Sequence, residues 1–408
     1  MTPRDRNAHP RPLPQHALAE VAGAFLKLGC VSFGGPAAHL GYFRAEFVER
    51  RRWLDDAHFS DLVALCQSLP GPGSSQVVFA LGMHRAGLAG ALVASACFTL
   101  PSAAWMIAFA YGVAALGDLQ RAGWLHGLKL AAVAVVAQAV WGMGKRLCTD
   151  RARVSLCLAS AAALLAAPGA LAQLGVIAVG ALVGWALYRD EVAVAESSNE
   201  APRHHLAAGA ALALFAALLV ALPALASATG SRALAVFDAF YRAGSLVFGG
   251  GHVVLPLLRA ELVPRGWISH DRFLAGYGAA QALPGPLFTF AAYLGAAMRP
   301  GPRAWAQGLW SLLAIFLPAW LLIGGALPFW HRLRATRAAQ AALAGANAAV
   351  VGVLLAALYD PVFTGAVHRR ADGVAALLAY GLLETWKTPP WLVVIAMAAA
   401  GQWALPGG

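Results

Sequence analysis

The chain has 408 residues, of which 60% are hydrophobic and only 12% are charged. A soluble globular domain carries about 25% charged residues, so the composition excludes an ordinary soluble domain. The net charge is +11, but the arginines lie in short loops between apolar runs and are not interleaved with stacking aromatic residues. This pattern is typical of the cytoplasmic loops of membrane proteins, and nucleic acid is not an expected partner.

The chain begins with a basic, proline-rich segment, residues 1–16, which lacks the apolar core of a signal peptide and predicts a disordered cytoplasmic tail. A hydrocarbon core about 30 Å thick needs roughly 20 apolar residues of helix. Uncharged runs that are long enough follow in chain order: Ala86 to Gly117, Val154 to Tyr188, His204 to Ser231, Phe273 to Met298, Ala304 to His331, Ala338 to Tyr359 and Thr388 to Gly408. We therefore predict an all-α fold, a polytopic helical membrane protein.

An internal repeat divides the chain. Residues 25–40, FLKLGCVSFGGPAAHL, align with residues 240–255, FYRAGSLVFGGGHVVL, at a constant offset of 215. After the loss of one residue, the Gln-x-Leu-Pro-Gly-Pro motif that begins at Gln67 aligns with the same motif at Gln281. Identity at special residue types, in one order and almost without gaps, predicts two homologous halves.

The two halves are predicted to have inverted topology. The N-terminal repeat covers residues 17–188, the C-terminal repeat covers residues 233–408, and residues 189–232 supply a polar linker plus an unpaired transmembrane helix. One extra crossing between halves of even crossing number inverts the second half. The basic loop is accordingly residues 144–154 in the first half, whereas in the second half it is residues 331–337, the counterpart of the preceding loop 116–123, with a cytoplasmic N-terminus. The basic loops at residues 298–303 and 367–372 do not follow this pattern, since both would lie outside.

Each half begins with two predicted helix breaks, one at a Gly-Gly motif and one at a Pro-Gly-Pro motif. Proline removes a backbone donor and glycine reaches positive φ, so these motifs stop one helix and start another. Broken helices are tolerated in a membrane only where protein or a water-filled cavity lines them, and a restarted helix offers free N–H groups and about +0.5 charge to an anion. Re-entrant breaks give about nine crossings, and spanning breaks give up to about thirteen.

The candidate substrate-binding residues lie at these breaks and at the matched cations two turns before each Gly-Gly motif. A cation within a transmembrane segment points to function. The candidates are Lys27, Gly34, Gly35, Pro36, Gln67, Gly71, Gly73, Ser74, Ser75, Gln76, Arg242, Gly249, Gly250, Gly251, Gln281 and Gly285. The candidates for gating or proton coupling are Arg44, Glu46, Arg259, Glu261 and His252.

Each of these features also has a simpler interpretation. In that interpretation the breaks are plain turns between hairpin helices, Ser74 and Ser75 only cap a helix, and the Lys27 side chain extends to the membrane interface. For the Arg/Glu pairs the alternative is an interfacial ion network that fixes a loop. For His252 it is a solvated position at a helix end.

Four segments, FLKLGCVSFGGPAAHL, QSLPGPGSSQ, VFGGGHVVLPLL and QALPGPLFTFAAYLGA, resemble the paired signatures of the chromate ion transporter family in its long, two-domain bacterial form. The resemblance extends from about Ala17 to Trp403. The family's characteristic positions correspond here to Lys27, Phe33, Gly34, Gly35, Pro36, Gln67, Pro70, Gly71 and Pro72, and to Phe248, Gly249, Gly250, Gly251, Gln281, Pro284, Gly285 and Pro286. After Pro-Gly-Pro the first half has Gly-Ser-Ser-Gln and the second has Leu-Phe-Thr-Phe, which argues against symmetric use of both sites.

The resemblance implies a secondary active transporter that exports chromate across the bacterial inner membrane, is coupled to the proton gradient and confers chromate resistance. The alternative is an uptake or exchange carrier for sulfate or another oxyanion. The expected partners are chromate, sulfate as an analogue, protons as the coupling ion, the lipid bilayer and a second copy of the chain in a homodimer. No cofactor, metal or enzymatic activity is expected, because the sequence contains no paired nucleophile and base and no nucleotide-binding loop.

Overall fold

The computed structural model describes residues 16–115, 123–189, 205–247, 251–329 and 336–403. These residues form sixteen α-helices and no strand, which confirms the predicted all-α fold. Most of the predicted N-terminal tail and of the polar linker lies outside the described residues.

The first half contains seven helices. The π-helical turn Ala45–Arg50 extends α2, and α4 is interrupted by non-helical backbone at Ala86 and Gly87. We call residues 73–85 the first arm of α4 and residues 88–115 its second arm. The helices are α1 (Ala17–Val31), α2 (Gly35–Arg44), α3 (Asp56–Ser68), α4 (Gly73–Ala115), α5 (Gly123–Leu147), α6 (Arg151–Ala166) and α7 (Ala170–Tyr188).

The second half repeats this order after one unpaired helix, α8 (His205–Thr229). Two separate helices, α12 and α13, take the places of the two arms of α4. A 3₁₀ turn, Gly251–Val253, precedes α10. The helices are α9 (Arg232–Ser245), α10 (Val254–Leu262), α11 (His270–Ala280), α12 (Phe290–Ala297), α13 (Ala304–Ala326), α14 (Arg337–Ala357), α15 (Arg370–Glu384) and α16 (Pro390–Trp403).

Contacts between the second arm of α4 and its equivalent, α13, show that the halves are inverted. The Tyr111 hydroxyl donates to the Pro302 carbonyl (3.3 Å) and accepts from the Trp305 amide (3.2 Å). One turn earlier on α4, Ile107 lies against Gly308, further along α13. Residue numbers rise along one helix as they fall along the other, so the equivalent helices are antiparallel.

Each half opens with two hairpins that turn back inside the protein. Glu20, in the first turn of α1, accepts hydrogen bonds from Arg51 beyond α2 (3.2 Å) and from Arg85 at the end of the first arm of α4 (Nε, 3.1 Å). Both hairpins of the first half therefore begin and end at one face. Five of the described helices are long and apolar enough to cross a membrane by length and composition alone.

The last helices of each half pack on the other half. Gly184 of α7 meets Gly345 of α14, and Gly127 of α5 meets Met397 of α16, with backbones in direct contact. Small residues four apart let transmembrane helices approach this closely. The spacings Gly180-x-x-x-Gly184 and Gly123-x-x-x-Gly127 are visible in the sequence, and they mark the helices that interlock the two halves.

We expect Gly184→Val to lower the free energy of unfolding by about 1–3 kcal/mol, because a Cβ here would lie 2.5 Å from the Ala341 carbonyl oxygen and 2.6 Å from Gly345 Cα. Gly175→Val on the same helix is the matched control, since a Cβ there meets no atom within 4 Å. Melting temperatures of the two variants in one detergent measure the difference. Equal melting temperatures would contradict the close approach of α7 and α14.

Candidate functional site

The two Pro-Gly-Pro turns are held by a reciprocal pair of hydrogen bonds between the halves. The Gly71 amide donates to the Val247 carbonyl (2.6 Å), and the Gly285 amide donates to the Ser32 carbonyl (2.9 Å). Ser32 and Val247 occupy equivalent positions in the repeat, just before each Gly-Gly motif. We call these four residues the central crossing, because each half supplies the acceptor for the break of the other.

Glycine is required at both turns of the central crossing. Gly71 and Gly285 have φ values of 119° and 90°, which L side chains rarely adopt. A Cβ at Gly71 would lie 2.8 Å from Gln76 Nε2 and 3.4 Å from Ala319 Cβ. A Cβ at Gly285 would lie 2.8 Å from the hydroxyl oxygen of Ser102. Ser102 and Ala319 both follow a helix proline, so each turn docks on the equivalent helix of the opposite half.

The predicted helix breaks of the first half are confirmed. Gly34 and Gly35 have φ values of 96° and 75°, and they separate α1 from α2, which carries Pro36 in its first turn. The chain leaves α3 at Ser68 and enters the first arm of α4 at Gly73, where the amide of Gln76 donates to the Pro72 carbonyl (2.9 Å). The amides of residues 73–75 therefore precede the first bond of the helical ladder and point toward the break.

A buried histidine joins the first arm of α4 to the central crossing. His39 Nε2 lies 3.1 Å from the Ser32 carbonyl oxygen, and Nδ1 lies 3.3 Å from the Ser74 hydroxyl oxygen. A carbonyl only accepts, so Nε2 carries the proton, and in the neutral ring Nδ1 accepts from Ser74. The Ser32 carbonyl thus receives donors from both His39 and Gly285. His39 lies within the signature FLKLGCVSFGGPAAHL, but its repeat equivalent is Val254, so the comparison of the two halves did not single it out.

Several buried polar atoms near the breaks have no hydrogen-bond partner among the described residues. They are the hydroxyls of Ser32 and Ser75, the Gln76 side-chain oxygen and the Gln281 side-chain nitrogen. The side-chain nitrogen of Gln76 donates to the Pro70 carbonyl (2.7 Å), so only the side-chain oxygen of Gln76 is left without a partner among the described residues. Buried polar atoms are nearly always paired, so unpaired ones beside a break mark room for water or a polar ligand.

The matched cations have different environments. Arg242 is half-buried and donates to Asp238 (2.8 Å) and to Glu261 (2.8 Å), which neutralise it. Lys27 is exposed on α1 and forms no ion pair with the described residues. The physical reason is that Gly23 stands at the position of Asp238, while Glu46 is occupied by other arginines. Lys27 is therefore the cation of this pair that is free to meet an anion.

Three of the four Arg/Glu candidates, Arg44, Glu46 and Glu261, form ion networks at the ends of the hairpins. Arg44 contacts Glu49 and Asp56, and Glu46 accepts from Arg50 (2.9 Å) and Arg51 (2.6 Å). In the second half Glu261 bridges Arg242 and Arg265. Arg44 therefore does not pair with Glu46, and Arg259 does not pair with Glu261. These contacts match the alternative in which the pairs fix the loops.

The remaining candidates are spread over several environments. His252 lies 2.7 Å from the Tyr277 hydroxyl, and Gln67 is exposed in the last turn of α3. Gly251 begins the 3₁₀ turn before α10, whereas Gly249 and Gly250 lie outside the described residues. The structure thus brings together the breaks, Ser74 to Gln76 and His39, with the Gln67 side chain near Gly73, and it leaves His252 in a contact of its own.

The fold and site define a helical membrane protein of two inverted repeats whose broken helices cross at the centre. The chain belongs to the chromate transporter family, which matches residues 19–185 and 234–402. The Chromate transport protein of Pseudomonas aeruginosa is 30% identical over 401 residues, covering 95% of this chain and 92% of that protein. The Chromate transport protein of Cupriavidus metallidurans is 27% identical over 404 residues, covering 96% and 94%. No solved structure matches the chain.

We expect Gly285→Ala to lower the free energy of unfolding by about 1–3 kcal/mol through backbone strain, and by about 1–3 kcal/mol more through overlap with Ser102. Gly87→Ala is the control for strain alone, because Gly87 also has positive φ (63°) but no atom within 4 Å of a Cβ. Adding Ser102→Ala should recover the overlap contribution in Gly285→Ala and have no such effect in Gly87→Ala. Thermal unfolding of the two single glycine variants and the two corresponding double variants measures the coupling between each glycine position and Ser102. A coupling of zero between Gly285 and Ser102 would contradict the contact.

We expect Arg242→Ala to lose about 3–5 kcal/mol of stability, because it leaves the buried carboxylates of Asp238 and Glu261 without their shared cation. Lys27→Ala removes an exposed, unpaired charge and should stay within about 0.5 kcal/mol of wild type. Fluorescence-detected size-exclusion chromatography after a heating series measures both. Equal thermal stability of the two variants would show that Arg242 is not a structural ion pair.

Proposed function

We propose that this protein is a secondary active transporter that exports chromate across the bacterial inner membrane in exchange for protons, and so confers chromate resistance. The observation that carries the proposal is the central crossing, where broken helices from two inverted halves meet. Such crossings place substrate near the membrane midplane, and the surrounding hairpins move about them. The N-terminus and the basic loops at residues 144–154 and 331–337 then lie in the cytoplasm, while the basic loops at residues 298–303 and 367–372 lie on the other side. No chemical conversion of the anion is part of the cycle.

The first half supplies the donors for a tetrahedral dianion. The amides of Gly73, Ser74 and Ser75 lie at the start of the first arm of α4, where the helix dipole favours negative charge. The unpaired hydroxyls of Ser32 and Ser75 add neutral donors. Lys27, free of ion pairs among the described residues, supplies the compensating charge along α1. Sulfate has the same shape and charge as chromate, so we propose that it competes for the same donors.

His39 is proposed to couple protons to this site. In the neutral ring Nδ1 accepts from the Ser74 hydroxyl, whereas a protonated Nδ1 donates to the Ser74 oxygen, so uptake of a proton reverses this hydrogen bond. The side chains around His39 are Phe43 of α2, Phe98 of α4 and Ser74, and none of them is charged. Protonation of this ring therefore changes the hydrogen bonds at the break directly.

Everted membrane vesicles test the transport proposal. We expect labelled chromate uptake when the vesicle interior is acidic, loss of uptake with an uncoupler, and competition by sulfate. Lys27→Ala should reduce uptake about tenfold or more, the loss of one charge-assisted hydrogen bond, with normal membrane insertion. Lys145→Ala, which removes an exposed cation near Glu384, is the matched control. Uptake that ignores an imposed pH gradient would rule out proton antiport.

His39→Gln tests the coupling residue, because glutamine keeps a donor for the Ser32 carbonyl but cannot take up a proton. We expect exchange of internal for external chromate to continue, while the stimulation of uptake by an acidic interior falls about tenfold. His84→Gln, at an exposed histidine that contacts the Trp53 carbonyl, is the control and should keep the stimulation. Full stimulation in a normally folded His39→Gln protein would exclude His39 as the coupling group.

A further inference from the structure

A cavity with polar side chains lies away from the central crossing. It has a volume of about 350 Å³ and lies where the turn between α6 and α7 meets α10 and the end of α14. Its walls are mainly leucine, proline, valine and alanine. Three side chains with polar groups also line it: Arg259, Gln173 and Asp360.

Arg259 is free of the partners that hold its repeat equivalent. Arg44 is bound by Glu49 and Asp56. The aligned positions in the second half are Pro264 and His270, so both carboxylates have been lost. The Nε atom of Arg259 is buried and has no hydrogen-bond partner among the described residues. A guanidinium in this position can bind a phosphate or carboxylate with a planar pair of donors.

Gln173 and Asp360 offer acceptors on other walls of the cavity. The Gln173 amide nitrogen donates to the Pro256 carbonyl (3.4 Å), and its oxygen is buried and unpaired within the described part of the chain. The carboxylate of Asp360 accepts from the Thr364 hydroxyl (3.1 Å), and it attracts Arg259 electrostatically without a direct ion pair in the described part of the chain. A simple anion would face the charge of Asp360, and a simple cation would face that of Arg259. A ligand that carries both charges satisfies all three groups.

Apolar surface lies close to the cavity. The π-helical turn Leu358–Phe363, which contributes Asp360, lines a separate groove of about 530 Å³ with Leu358, Tyr359 and Phe363. Tyr359 and Phe363 are exposed there, and Leu165 is exposed at the rim of the polar cavity. Hydrocarbon can therefore lie beside a site for a charged headgroup. Because the ends of α6, α10 and α14 meet here, the cavity is at the level of a membrane face.

We propose that this cavity binds the headgroup of a phospholipid with a primary ammonium, phosphatidylethanolamine. Arg259 binds the phosphate, Gln173 and Asp360 accept from the ammonium, and the acyl chains leave the cavity past the exposed Leu165 at its rim. This site is independent of the proposed chromate site, since it uses none of the residues of the central crossing.

Native mass spectrometry of the full chain tests the proposal, with lipid retention measured after equal loading with phosphatidylethanolamine, phosphatidylcholine and phosphatidylglycerol. We expect preferential retention of phosphatidylethanolamine. Arg259→Gln should reduce its retention about tenfold, the loss of a charge-assisted hydrogen bond, and Arg259→Lys should lose less. Asp360→Asn should remove the preference over phosphatidylcholine while phosphate binding remains. Arg44→Gln, at the paired equivalent position, is the matched control and should retain the lipid as wild type does.

Three outcomes would overturn the proposal. The first is equal retention of phosphatidylethanolamine by wild type and a monodisperse Arg259→Gln protein. The second is equal retention of all three lipids by wild type. The third is binding of soluble phosphoethanolamine without retention of the lipid, which would assign the cavity to a free metabolite. If Arg259→Gln does not fold, Gln173→Leu, which removes an acceptor without touching a charge, gives the same test through a loss of preference.

Discussion

Two hydrogen bonds at the central crossing hold the rest of the structure in place. A backbone group without a partner in an apolar interior costs several kcal/mol, and a broken helix leaves several such groups. Here the amides of Gly71 and Gly285 find their acceptors in the opposite half, at Val247 and Ser32. Neither half can therefore satisfy its own break, and inversion brings the two breaks together at the centre.

The terminal helices also make each half depend on the other, away from the central crossing. Glycines on α5 and α7 bring the backbones of α16 and α14 into contact, so each half is completed by helices of the other. In a bilayer such packing, rather than burial from water, holds helices together. The two halves thus form one unit in which the hairpins around the central crossing are the parts that turn back within the protein.

A symmetric scaffold carries asymmetric chemistry. Ser74 and His39 of the first half have Phe288 and Val254 as their equivalents in the second, so donors gather on one side of the central crossing. The equivalent cations of the two halves also differ in whether they are paired with carboxylates. Lys27 forms no ion pair with the described residues where Arg242 is neutralised, and Arg44 is paired where Arg259 faces a cavity. The repeat thus preserves the backbone geometry while each half presents its own charges, and the proposed anion and lipid sites use different copies.

Much of the architecture could be predicted from the residues alone. Glycine and proline act on their own backbone, so the motifs around Gly34 and Gly71 locate the breaks without knowledge of the fold. The offset of 215 gives the repeat, and the unpaired helix gives the inversion. His39 could not be found this way, because it has no repeat partner and its role depends on Ser32 and Ser74.

The sequence by itself determined the helical membrane class, the two inverted halves and the positions of the broken helices, because those features follow from local hydrophobicity and backbone chemistry. Only the tertiary structure decided which half completes which break, which arginine is neutralised and which is free. Those outcomes depend on contacts such as that of Ser32 with Gly285, between residues more than 200 positions apart. No local rule relates such residues, and only the packing of the inverted halves brings them within hydrogen-bonding distance.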